Sequence, residues 1–224
     1  MAGVSRPLAL IGALAAAGLL AVTAAAAPGD PKVSAKPADQ AYARTIVLRK
    51  AEVPGRGWTG KATEFGRLNP DCVVKHYSLS KLTATAQVGT TYTRPVDPGT
   101  FLVESDVDVF ATAAQAKAAS SIAAKLGLAR CLGSALVAQV PAGAFATSEV
   151  HAVKLSGVKN VAGAFKITLH ITSAQGRSTL TADVVYLQKG RVLATLSALT
   201  SGKGFTPAQL SAAAARMAAR MTKS

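Results

Sequence analysis

The sequence predicts an α+β fold, a two-layer sandwich in which a twisted antiparallel sheet of about six or seven strands is covered by helices. Three observations lead there. Apolar and polar residues alternate along the strand segments, as in an antiparallel sheet with one covered face. Two boxes, Thr112-Ala113-Ala114-Gln115 and Thr206-Pro207-Ala208-Gln209, open helices with apolar stripes. Short Pro- and Gly-containing turns join neighbouring strands, so those strands pair directly.

The elements follow in chain order. Arg6 and the apolar run from Leu8 to Val22 precede Ala24-Ala25-Ala26-Ala27, which is the layout of a secretory signal peptide over 1–26 with cleavage near Ala26. The apolar core is about 15 residues, short of the ~20 that span a bilayer. An uncleaved anchor is the alternative reading. No cysteine stands just after the run, the first being Cys72, so no N-terminal lipid is expected, and no later run is long enough to cross a membrane. Residues 27–37, rich in Pro, Ala and Lys, read as a flexible tether, and 38–224 as a single domain.

A helix is expected from Asp39 to Lys50. Asp39 caps it, and Val53-Pro54-Gly55 ends it. Trp58 lies in a strand or loop. The strand Leu82 to Thr93 sets Leu82, Ala84, Ala86, Val88 and Tyr92 on one face, with Thr83, Thr85, Gln87 and Thr91 on the other. After the turn Arg94 to Gly99, Phe101 to Phe110 places Val103, Val107 and Val109 opposite Glu104, Asp106 and Asp108. Thr112 then caps a helix whose stripe is Ala119, Ile122, Ala123 and Leu126, ending near Gly127. Further strands are expected at 145–155, 164–172, 179–188 and 192–199. The last helix buries Leu210, Ala214, Met217 and Met221. Each half reads as paired strands followed by a capped helix, the pattern an internal duplication leaves.

Cys72 and Cys131 are the only cysteines. In an oxidising compartment such a pair forms a disulfide, here closing a loop of about 60 residues. Two cysteines without paired histidines do not complete a zinc site. Glu104, Asp106 and Asp108 stand about 7 Å apart along one strand face, a spacing suited to a basic ligand or an ion, or to a solvated face paired with Lys or Arg. None of His76, His151 and His170 falls in a hydrolase or zinc-protease context, although Glu149 shares a register with His151. No catalytic residues, metal or cofactor are expected.

The net charge is +14, a field that attracts anionic surfaces. Arg216, Arg220 and Lys223 on one side of the last helix are the candidate contact for anionic envelope polymers or lipid headgroups. An exported chain with few aromatics and no reader motif is not expected to bind nucleic acid.

Val53-Pro54 with Gly57-Trp58, Cys72, the strand Ser105 to Phe110 running into an alanine-rich helix, and Cys131 come in a telling order. Asp183-Val184-Val185-Tyr186 and Gly190-Arg191-Val192 before the last helix complete it. In that order the chain resembles a group of exported actinobacterial proteins similar to the extracellular sensor domain of PknH-type Ser/Thr kinases. The resemblance covers most of the chain after the signal. It implies an α+β domain with a large groove as the expected site of a small ligand. The chain departs from that sensor in having one cysteine pair where the sensor has two bridges, and in lacking a kinase segment. The expected function is an exported, non-enzymatic binding or sensor-like domain. The alternatives are a basic envelope-associated structural protein and a hydrolase with an unrecognised site.

Overall fold

The alternating segments assemble into one eight-stranded sheet in the computed structural model, which describes residues 29–63, 71–97, 99–201 and 204–221. The strands are β1 (Lys32–Val33), β2 (Thr59–Thr63), β3 (Thr83–Pro95), β4 (Thr100–Phe110), β5 (Phe145–Ala152), β6 (Val161–Ser173), β7 (Gly176–Lys189) and β8 (Val192–Thr200). Across the sheet the order is β1-β3-β4-β8-β7-β6-β5, with β2 also on β3. Pairing is antiparallel except between β1 and β3. The helices are α1 (Pro37–Ile46), α2 (Asp71–His76), α3 (Ala113–Ala123), α4 (Leu126–Ala138) and α5 (Pro207–Arg220). The expected signal peptide lies outside the described residues.

Local sequence explains the hairpins. Lys189 pairs with Val192, leaving Gly190 and Arg191 as a two-residue loop, and Gly190 takes φ 55°, a left-handed conformation that costs a residue without Cβ nothing. The two halves of the chain then meet at β4 and β8, which pair continuously from Phe101↔Thr200 to Val109↔Val192.

Helices lie on both faces of the sheet rather than one. Along β7 the residues alternate between two cores: Val185 and Leu187 pack with α1 and α5, Val184 and Tyr186 with α3 and α4. Strands of this kind are apolar on both sides only over their covered stretches, and the remaining polar positions kept the alternation visible in the sequence. α5 follows expectation closely. Thr206 and Gln209 form the reciprocal box, and Leu210, Ala214, Met217 and Met221 are all buried. Each of the larger side chains contributes about 1.5–3 kcal/mol by leaving water.

Several expectations are corrected. Part of the tether is ordered, since Lys32 N–H donates to Leu82 O and Ser34 N–H to Ala84 O, making β1. α1 begins at Pro37, where a missing N–H is harmless, so Asp39 is not its cap. Thr112 does cap α3 by accepting from Gln115 N–H, but the Gln115 carbonyl reaches across to accept from Thr83 N–H at 3.1 Å. The chain also turns back into helix after α3, giving α4 where a stop at Gly127 was expected. On β3 the pairing shifts between Ala84 and Ala86. Leu82 consequently packs on the α3 side while Ala86, Val88 and Tyr92 pack on the α1 side.

Buried polar groups fasten α1 and the segment after it to the sheet. Arg191 in the β7–β8 loop donates from Nη2 to Asp39 Oδ1 at 2.8 Å and from Nη1 to Asp39 Oδ2 at 3.2 Å. Thr85 donates to the same carboxylate at 2.6 Å. Further on, Ser105 Oγ accepts from Leu48 N–H at 2.9 Å and Tyr92 donates to Leu48 O at 3.1 Å. The Val53 to Trp58 loop wraps Arg94, whose guanidinium lies 4.7 Å from the Trp58 ring. Trp58 in turn meets Phe101 edge-on at 5.2 Å. A side chain on Gly55, at φ +96°, would strike Arg94.

Cys72 on α2 and Cys131 on α4 are joined in a disulfide with Cα atoms 6.0 Å apart. Its chain-entropy contribution for a 59-residue separation is about 4 kcal/mol as an upper figure. Urea unfolding of Cys72→Ser/Cys131→Ser against the oxidised chain should show a loss of stability of up to about that size. The Arg191 hydrogen bonds hold the Asp39 carboxyl below its usual range, against the opposing effect of burial. Its contribution is therefore present above the unfolded value of 3.8 and lost as pH falls through the lower folded value. Asp39→Asn should cost about 2 kcal/mol at pH 7 and progressively less in acid, read as urea midpoints across pH.

Candidate functional site

The sheet register builds the site. Opposite residues on neighbouring strands share a face, so three rows cross the centre of the sheet on the side that carries α3 and α4. Thr91, Glu104, Ser197 and Val184 form the first. Gly89, Asp106, Thr195 and Tyr186 form the second, and Gln87, Asp108, Leu193 and Gln188 the third. Val184, Tyr186 and Leu193 belong to the apolar cluster under α3 and α4. Beyond them, toward β3, the floor turns to hydroxyls and carboxylates. Gly89 adds no side chain beside Asp106 and is itself buried.

The acidic trio is thus not a solvated face. Glu104 and Asp106 are half-buried, and Asp108 is 3% exposed. Asp108 Oδ1 accepts from Gln87 Nε2 at 3.0 Å. Burial pushes the Glu104 carboxyl up from its ordinary value, partly offset by a hydrogen bond from Thr91. Among the described residues no group of three His, Cys, Asp or Glu is placed to hold a metal ion. The floor therefore offers hydrogen bonds of both polarities beside an apolar wall, the composition of a small-molecule site. The sequence pointed to the carboxylates but not to Thr91, Thr195, Ser197 or Gln87 around them. Those come from β3 and β8, and only the register brings them alongside; the alternating Thr195 and Ser197 in an otherwise apolar strand were the available signal.

The other candidate residues are placed differently. Arg220 grips Glu52 through both terminal nitrogens, at 2.9, 3.1 and 3.0 Å. Arg216 donates to the backbone oxygen of Glu52 at 2.6 Å. Both thus tie α5 to the short turn Lys50–Glu52, Arg220 half-buried and Arg216 still exposed. Lys223 lies outside the described residues. His151 and His170 both approach Glu149, at 3.6 and 3.8 Å, on an exposed stretch of β5 and β6. His76 ends α2 beside Tyr77.

These features define an α+β domain with a disulfide-linked helix layer over part of an antiparallel sheet. The solved extracellular domain of PknH from Mycobacterium tuberculosis has a similar fold, with a TM-score of 0.50 and 16% identity over 83% of this chain and 97% of that one. The resemblance read from the sequence is met at the level of fold. No protein-family model matches the chain, and no curated protein matches it.

Glu104 sets a pH signature of its own. It takes up its proton at higher pH folded than unfolded, so its own contribution to stability is greatest below the unfolded value of 4.5 and declines as pH rises through the folded value. Glu104→Gln should raise the urea midpoint at pH 7 and leave it unchanged near pH 4, the opposite trend to a salt-bridged carboxylate.

Proposed function

We propose that the chain is an exported, non-enzymatic binding domain of sensor type that takes a small polar ligand on the floor between β3 and β8. The observation that carries this reading is the placement of half-buried Glu104 and Asp106 among Thr91, Thr195 and Ser197, next to the apolar wall under α3 and α4. Half-buried carboxyls and hydroxyls are suited to exchanging hydrogen bonds with a ligand. The fold's likeness to an extracellular kinase domain supports the sensor class. Export is supported by the N-terminal apolar run with its small-residue cleavage region and by the Cys72–Cys131 disulfide, a bond that belongs to oxidising compartments.

A test is native mass spectrometry of the chain purified without denaturation, followed by extraction and identification of any bound molecule. The expected result is a mass excess that disappears in Asp106→Ala while the chain stays folded. An empty chain that instead binds anionic vesicles at low salt and releases them as salt is raised overturns the ligand reading. That result would favour a basic, envelope-associated structural role, consistent with the net charge of +14.

A further inference from the structure

The two margins of the sheet are unlike. At one, β1 and β2 cover the outer side of β3 in succession. At the other, among the described residues, β5 pairs only with β6. That pairing is unbroken from Phe145↔Thr172 to Ala152↔Phe165. Edge strands are normally protected by charged side chains, above all lysine, by proline, by a bulge or by a covering element, and of these β5 carries the single charge of Glu149. The β5 segment Phe145-Ala146-Thr147-Ser148-Glu149-Val150-His151-Ala152 has no proline or lysine, and no register shift marks its ladder. It also carries Phe145, 70% exposed.

We propose that the β5 edge is an interaction surface for a second copy of this chain, joined antiparallel to β5 across a two-fold axis so that the two sheets become one. The choice of occupant comes from charge. Two-fold pairing keeps each face of the sheet on its own side, so opposite residues are both odd-numbered or both even-numbered in β5. Centring the axis on Glu149 sets carboxylate against carboxylate, which is repulsive. Centring it on Ser148 sets Glu149 against Thr147 and gains no ion pair. Centring it on Val150 sets Glu149 against the second copy's His151 twice over, with Val150 against Val150. Glu149 and His151 have side chains 60% and 68% exposed, and the second copy's pair takes the place of their contact within the chain. Backbone groups along the edge supply the hydrogen bonds, and the Glu149–His151 pairs fix the register.

The experiment is sedimentation velocity on the purified, disulfide-bonded chain from about 1 to about 500 μM, for the parent, Glu149→Lys, and Glu149→Lys/His151→Glu. A dimer should grow with concentration in the parent, weaken about tenfold or more in the single variant, and return in the charge-swapped pair. Both positions are exposed, and circular dichroism confirms that the variants remain folded. A chain monomeric throughout overturns the proposal. So does a dimer that the single variant leaves at full strength, since that association would use another surface.

Discussion

The architecture hangs on the seam between β4 and β8. Nine consecutive pairs, from Phe101↔Thr200 to Val109↔Val192, are the contact through which the two hairpin-built halves become one sheet. Strands so distant in sequence pay a loop-closure penalty before they gain contacts, so a long, unbroken ladder is needed to offset it. The same seam completes the core on one side, where Val103, Val107 and Val109 meet Ala198, Ala194 and Val192. On the other side it brings Glu104 and Asp106 alongside Ser197 and Thr195. A slip of one residue would exchange these two faces, burying carboxylates under α1 and α5 and exposing valines. Stability and the candidate site therefore rest on a single register.

The helices are then positioned by unlike means on the two faces. Under α1 and α5, buried hydrogen bonds add direction to apolar packing: Asp39 to Arg191 and Thr85, Leu48 to Ser105 and Tyr92. On the other face the Cys72–Cys131 disulfide joins α4 to α2, and α4 approaches the sheet closely. A side chain at Gly133 would come within 3.1 Å of Ser148 Oγ and 3.3 Å of Ile167 Cγ2. α4 thus lies close on β5 and β6.

Strands and capped helices were legible because their signals are local. Alternation located β3, β4 and β6 to β8 within a few residues, and Thr206 with Gln209 marked the start of α5. The misses are elements whose reasons lie elsewhere in the chain. α4 starts at Lys125 with no side-chain cap and contains Gly127 and Gly133, so nothing local advertises it; the sheet beneath and the disulfide hold it. β1 exists because the start of β3 offers an open edge. Asp39 reads as a cap by position but serves as the partner of Arg191, 152 residues away. The acidic trio was visible as an alternation, yet the sequence could not distinguish a solvated face from a covered one. That distinction is made by which strand lies beside β4.

Charge placement follows from the same arrangement and alters how the basic composition acts. Acidic side chains are few, 11 against 25 Lys and Arg, and the structure draws several inward. Asp39, Glu52 and Asp183 are paired in place with Arg191, Arg220 and Lys166, while Glu104, Asp106 and Asp108 line the partly covered floor. Carboxylates removed from the surface no longer screen the lysines and arginines that remain there, so the outward field is more positive than the bare residue ratio indicates. The floor, by contrast, gathers carboxyls and hydroxyls within a chain of basic composition. The register of β4 against β8 is thus what keeps these carboxyls and hydroxyls apart from the apolar core under α1 and α5.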